Sequence, residues 1–146
     1  MKLVLRTRPA KDATLFAKIA DSLIKLRLVS NYCHGGVVVG DTVLHSTTKG
    51  LHSIEFDPSE WESIDLGEKL DSIVLQRYAK WKGAKYDWFS LLAFVLPGRI
   101  SDARRLYCFE WCWLALTGIT PTYRVTPEML LRVAIEQRES RNDREV

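Results

Sequence analysis

The chain has 146 residues, of which 47% are hydrophobic and 27% are charged, and its net charge is +3. This length suits one domain with a sizeable core, and the composition excludes a disordered chain. The weak, dispersed positive charge does not indicate a nucleic-acid partner by itself, and none is expected. We expect a single domain over residues 1–137, followed by a polar tail over residues 138–146.

Cysteine usage and the N-terminus indicate a reducing compartment. The three cysteines are an odd number without paired spacing, which does not suit a disulfide framework. The segment from Met1 to Arg8 carries charges where a signal peptide needs an unbroken apolar run. No stretch reaches the roughly 18 apolar residues of a membrane span. We therefore expect a cytoplasmic protein without a transmembrane segment.

A strand and a helix are predicted first. Residues 2–7 alternate between charged and apolar types, which predicts a short strand ended by Pro9. Four apolar residues then recur at helical spacing and predict an amphipathic helix over residues 12–27. They are Leu15, Ile19, Leu23 and Leu26.

An antiparallel β-meander follows in the prediction. β-branched, apolar runs over residues 34–39 and 42–47 flank Gly40-Asp41, which is a two-residue hairpin signal. Further strands are predicted over residues 51–56 and around 63–66.

The second half of the chain is predicted to be helical. Helices are expected over residues 69–82, from Trp88 to Leu96, from Cys108 to Thr117, and after the N-cap Thr126 and Pro127. A strand and a helix, then a meander, then helices indicate an α+β domain.

Cys108 lies in the first turn of the third of these helices. A helix N-terminus presents free backbone N–H groups and a positive dipole end, which stabilise a thiolate. The alternative is an apolar core residue, as most free cysteines are. Glu110 in the same turn is interpreted as a structural charge or as a hydrogen-bond partner at the site.

All three histidines lie in the meander. If Gly40-Asp41 forms the hairpin turn, two residues that lie opposite each other on the flanking strands have residue numbers that sum to about 81. His45 then lies opposite Gly36. His34 and His45 then project diagonally from one face of the sheet. The pair suits a general base with its orienting group, or a hydrogen-bonded structural pair. His52 is interpreted as a structural or exposed residue, because the Lys49-Gly50 turn leaves its register open. Cys33 and Cys112 are interpreted as core residues.

Three segments together resemble one superfamily of enzymes. The segment from Asn31 to Asp41 resembles the histidine strand of NlpC-like, papain-fold cysteine hydrolases. Lys85 to Trp88 resembles their Tyr-Asp helix opening, and Tyr107 to Trp111 resembles their nucleophile helix, with Phe109 where serine is usual. The order, histidine before cysteine, matches the circularly permuted branch, which includes YiiX-like proteins and relatives of lecithin:retinol acyltransferase.

This resemblance implies a permuted papain-like fold, with the meander packed against helices. It implies Cys108 as nucleophile, His34 as general base and His45 as the residue that orients it, with Tyr32 and Glu110 as accessory residues. The superfamily cleaves or transfers acyl groups at amides, thioesters and esters. The implied function is a cysteine-dependent hydrolase or acyltransferase that needs no cofactor. The substrate would be a peptide, a peptidoglycan fragment or an acyl lipid.

Three alternatives remain open at this point. The same fold could serve as an inactive binding domain. A zinc site could use Cys108 and Cys112 with His34 and His45, although zinc sites favour tighter Cys-x-x-Cys spacing. A nucleic-acid role would rest on the basic residues of the segment from Arg99 to Arg105, which we interpret as a solvated loop or a rim for an acidic substrate.

Overall fold

The computed structural model describes residues 1–28, 30–86 and 105–143. These residues form the expected α+β arrangement, with a five-stranded antiparallel sheet and four α-helices. The strands are β1 Lys2–Arg6, β2 His34–Val39, β3 Thr42–Thr47, β4 Gly50–Glu55 and β5 Glu62–Asp65. The helices are α1 Leu15–Leu28, α2 Asp71–Trp81, α3 Cys108–Thr117 and α4 Pro127–Asn142. The helix predicted from Trp88 to Leu96, and Arg99 and Arg104, lie outside the described residues.

The meander forms with the predicted register. In the pairing of β2 with β3, Val37 lies opposite Leu44 and Val39 opposite Thr42, so paired numbers sum to 81. Gly40 supports the turn, because its φ of 59° lies in the left-handed region that glycine adopts without strain. The hairpin prediction is therefore confirmed.

The N-terminal strand occupies an interior position in the sheet. The strand order is β4-β3-β2-β1-β5, so β1 pairs with both β2 and β5. The strand that the sequence predicts around residues 63–66 is confirmed as β5. Residues far apart in sequence are consequently neighbours, including Arg6 and His34, which lie opposite each other.

The sheet has two unlike faces. On the helix face, which α3 covers, Leu3, Val37 and Leu44 join the main hydrophobic core. On the opposite face, Val4, Val38 and Val43 form a second, smaller cluster with Trp61. We call this the histidine face, because His34 and His45 lie there beside Trp61. Alternation along each strand separates the two sets.

Helix α3 is buried along most of its length. It begins at Cys108 and ends at Thr117, and the C-cap residue Gly118 adopts the left-handed conformation with a φ of 76°. The Glu110 side chain accepts a hydrogen bond from the Tyr107 backbone N–H at 3.3 Å, which caps the first turn. Trp111 is fully buried and its Nε1–H donates to the Leu44 carbonyl at 2.8 Å. The predicted helix and its glycine stop are confirmed.

Helix α1 turns its apolar stripe outward. The exposed fractions are 75% for Leu15, 52% for Ile19, 45% for Leu23 and 77% for Leu26. Ile24 faces the body of the protein and is buried, and Lys25 Nζ donates to the Thr7 carbonyl. The predicted helix is present, but its apolar stripe does not face the core as such stripes normally do.

The C-terminal helix is longer than expected. Thr126 Oγ1 accepts from the Met129 backbone N–H at 3.4 Å and Pro127 occupies the first turn, as predicted. The helix continues to Asn142, so the tail expected from residue 138 is helical over its first part. Residues with good helix propensity, such as Arg138 and Glu139, explain the extension. Across the described ranges, no helix has the length and apolarity needed to cross a membrane.

Candidate active site

His34 and His45 are in direct contact on the histidine face. His34 Nε2 lies 2.9 Å from His45 Nδ1, and both side chains are buried. The neighbouring Gly36 leaves room for them, because a Cβ there would lie 3.3 Å from His45 Cβ and 2.8 Å from Val43 Cγ1. The predicted juxtaposition of the two histidines is therefore present.

His52 extends the pair into a row of three imidazoles. It lies opposite His45 on β4, and the two ring centroids are 4.6 Å apart. Its Nδ1–H donates to the Gly50 carbonyl at 2.8 Å, which fixes the ring. The sequence predicts His52 as a structural or exposed residue, since the Lys49-Gly50 turn does not define its register, whereas the structure brings it against His45.

Trp61 and Arg6 complete this cluster, and sequence reasoning missed both. The Trp61 ring centroid lies 5.8 Å from that of His34 and 6.2 Å from that of His45. The Arg6 guanidinium stacks over the Trp61 ring at 4.7 Å from its centroid. The alternation of side chains along β1 is a signal that predicts Arg6 on the face away from Leu3 and Leu5. No local pattern links β1 to β2, since α1 lies between them in the chain.

Burial favours the neutral form of His34 and His45. Burial lowers the pKa of His34 well below its ordinary value, and the positive charges that His45, Arg6 and His52 can carry lower it further. Burial, followed by His52 and Arg6, lowers the pKa of His45 to about 3. Neutral imidazole is the form that can accept a proton from a reacting group.

An open cleft adjoins the cluster. It has a volume of about 420 Å³, and Trp61, which contacts the histidines, forms part of its wall. Arg6, Arg8 and Lys11 line it together with the carboxylates of Glu60 and Glu62. The histidine face therefore has a solvent-accessible cavity of mixed charge beside its imidazoles.

Cys108 lies on the helix face of the sheet. A Cβ at Gly35 would lie 3.0 Å from Phe109 Cδ1 and 3.3 Å from Cys112 Sγ, so α3 packs directly on this glycine. The side chain of the preceding residue, His34, points to the opposite face. The sheet thus places Cys108 on one side and the His34–His45 pair on the other, and the expected contact between thiol and imidazole is not made.

The environment of Cys108 favours the neutral thiol. The side chain is 1% exposed, and burial raises its pKa to about 12. Hydrogen bonds from the backbone of Gly35 and Phe109 act in the opposite direction and lower this pKa. One backbone donor in the first turn of α3, Phe109, and one in β2, Gly35, therefore meet the sulfur, but desolvation is the larger effect.

The other two cysteines are core residues, as predicted. Cys33 and Cys112 are fully buried. Burial raises the pKa of Cys33 to about 11 and that of Cys112 well above its ordinary value. The four-residue zinc alternative would need Cys108 and Cys112 beside the histidines, and the sheet separates these groups. In the part of the chain that the structure describes, no three or more His, Cys, Asp or Glu side chains are grouped to hold a metal ion.

The two accessory candidates occupy different places. Tyr32 is near the surface, where its hydroxyl donates to Glu62 Oε2 at 2.7 Å, and this hydrogen bond raises the pKa of the phenol. Glu62 also lines the cleft, so Tyr32 lies beside its rim. Glu110 is buried and caps α3, which is the structural role considered from the sequence.

Comparisons of this chain with protein-family models, with curated proteins and with solved structures found no match.

Proposed function

We propose that this chain is a cysteine-dependent hydrolase or acyltransferase of permuted papain-like fold, with Cys108 as nucleophile and His34 as general base. The observation that carries the proposal is the contact of 2.9 Å between His34 Nε2 and His45 Nδ1. A general base needs a partner on its second ring nitrogen to fix its tautomer and orientation. His45 is proposed to be that partner.

The roles determine where the protons lie. His34 Nε2–H donates to His45 Nδ1, which leaves His34 Nδ1 unprotonated and able to accept the thiol proton. His45 then carries its proton on Nε2, a buried atom without a hydrogen-bond partner among the described residues. A neutral partner of this kind orients the base without adding a charge.

The proposed reaction is acyl transfer through a covalent intermediate. The Cys108 proton passes to His34 as Sγ bonds to the carbonyl carbon of the substrate, and the Cys108 backbone N–H stabilises the oxyanion. The bond to the leaving group then breaks, and His34 returns the proton to that group. Water, or an acceptor alcohol or amine, releases the acyl group. A peptide, a peptidoglycan fragment or an acyl lipid would be the substrate.

The reaction requires a change at the start of β2. Within the described strands the register of β2 with β3 begins at Val37, so the first residue, His34, is paired to β1 alone. We propose that the described conformation is the resting one. Substrate binding then moves the start of β2 against α3, so that the Cys108 thiol reaches His34 Nδ1 while His34 keeps its hydrogen bond to His45.

A binding domain without thiol chemistry is the second candidate. The burial of Cys108, its raised pKa and its separation from the histidines favour it. The cleft beside Trp61 would then be the binding site, and Cys108 would be a core residue of α3.

Substitutions of the two histidines test the proposal. His34→Asn and His34→Ala should both lower the rate of Cys108 acylation by at least about a hundredfold, because no amide can act as the base. His45→Asn should retain more activity than His45→Ala, since an amide oxygen can accept the orienting hydrogen bond. The rate is measured with thiol-directed acyl probes and peptide mass spectrometry. If all four variants react like the unmodified protein, neither histidine is catalytic and the binding domain is favoured.

The order in which the thiols react tests Cys108 as the nucleophile. In the resting conformation all three cysteines are buried, and the pKa of Cys33, about 11, lies below that of Cys108, about 12. The proposal expects limited iodoacetamide treatment near neutral pH to label Cys108 first, because Cys108 is the thiol whose proton His34 is proposed to accept. Earlier labelling of Cys33 or Cys112 would contradict the proposal.

A further inference from the structure

Helix α1 turns a stripe of apolar side chains towards the solvent. Four large aliphatic side chains, Leu15, Ile19, Leu23 and Leu26, are between 45% and 77% exposed. At 100° per residue they cover a sector of about 80° along a helix of 14 residues. Single exposed leucines are common, whereas a continuous apolar stripe marks an interaction surface.

The opposite side of α1 is fixed to the domain. Ile24 is buried in the main core, and the Lys25 ammonium donates to the Thr7 carbonyl at the end of β1. Asp21 is half-buried on the same side. Burial raises the pKa of its carboxyl, and Arg6, Cys33 and Lys25 offset part of this increase. The helix therefore cannot bury its stripe by rotating without breaking these contacts.

The net charge of the segment that contains α1 indicates which kind of partner fits the stripe. Residues 1–28 contain seven Lys or Arg and two Asp, a net charge of +5, whereas the whole chain has +3. The rest of the chain therefore carries −2. Arg8, Lys11 and Lys18 are exposed in this segment, and Arg8 and Lys11 also line the cleft. An apolar stripe within a cationic segment is complementary to an anionic lipid surface.

We propose that α1 docks this protein on the surface of an anionic lipid bilayer. The stripe enters the boundary between headgroups and acyl chains, while Arg8, Lys11 and Lys18 meet the lipid phosphates. A second copy of the chain fits the stripe less well, because two +5 segments would repel each other across an isologous interface. Docking brings the cleft to the membrane, through Arg8 and Lys11, and it requires no thiol chemistry.

Vesicle binding of the full chain tests this inference. The protein should sediment with vesicles that contain phosphatidylglycerol, bind phosphatidylcholine vesicles much more weakly, and dissociate as salt screens the charges. The double variant Leu15→Ser/Leu26→Ser should weaken binding by at least about tenfold. Lys11→Gln and Lys18→Gln should each weaken it by roughly fivefold. Ile119→Ser is the matched control, because Ile119 is 63% exposed outside α1.

The outcomes are distinguishable. Circular dichroism should show an intact fold in the serine variant, since both side chains are exposed. Unchanged vesicle binding in that variant, or no binding to the anionic vesicles, would overturn the inference. A dimer in sedimentation velocity that the serine variant dissociates would also overturn it, because a second copy would then cover the stripe. Vesicle binding with no acylation of Cys108 would reject only the proposed catalytic function.

Discussion

The two faces of the sheet place the thiols and the imidazoles in different environments. The helix face buries the thiols of Cys108 and Cys112, both on α3, in the main hydrophobic core. The histidine face carries three imidazoles, Arg6 and Trp61 beside an open cleft. We expect the helix face to contribute more to the free energy of unfolding, because it holds the main core. The histidine face is the one that borders the open cleft.

This difference rests on the alternation of side chains along β2. Gly35 faces α3, whereas His34 and Gly36 face away from it. Because the side-chain period of a strand is two, Cys108 and His34 lie on opposite sides of the sheet although Gly35 and His34 are adjacent. The faces can be compared experimentally through stability.

The largest expected effect comes from the tryptophans of the two faces. Trp111→Ala should lower the free energy of unfolding by about 3–5 kcal/mol, because it leaves a cavity in the core and removes a hydrogen bond to Leu44. Trp61→Ala should cost clearly less, since Trp61 borders the cleft and the small cluster. Urea unfolding measures both, and equal losses would show that the histidine face is packed as tightly as the helix face.

Acid should destabilise the histidine face selectively. The folded pKa values of His34 and His45 lie below the ordinary value of 6.5, so below that pH the unfolded chain binds protons that the folded chain excludes. Stability is therefore full above about pH 6.5 and falls as pH drops towards the folded pKa, by about 2 kcal/mol at pH 5 for His45.

The matched control for this effect is His45→Gln, which removes one titrating group. Its free energy of unfolding should fall less between pH 8 and pH 5 than that of the unmodified protein. The same pH dependence in both proteins would mean that His45 is charged or exposed when folded.

The smallest expected effect is the coupling energy that distinguishes Gly35 from its neighbour Gly36. Gly35→Ala should cost about 1–3 kcal/mol, because the new Cβ would meet the Phe109 ring at 3.0 Å. Gly36→Ala should be similarly unfavourable, but through Val43 Cγ1 on the other face. Phe109→Leu should therefore relieve Gly35→Ala by at least about 0.5 kcal/mol and leave the cost of Gly36→Ala unchanged. Coupling of Phe109 to Gly36 instead would place α3 on the histidine face.

Local signals determined much of this fold from the sequence. The Gly40-Asp41 turn fixed the register of β2 with β3, and the register fixed the contact of His34 with His45. Thr126 and Gly118 marked helix ends, because capping depends on residues within one turn. These features involve short separations, at which residue type alone constrains the backbone.

Only the tertiary structure decided which groups meet across long separations. The interior position of β1 put Arg6 opposite His34, and the packing of α3 on Gly35 put Cys108 on the face away from both histidines. The outward stripe of α1 likewise depends on the anchoring of Ile24 and Lys25. Periodicity shows that residues share a side of an element. Which side is buried depends on the packing of elements that are distant in the chain, and no short pattern encodes that packing.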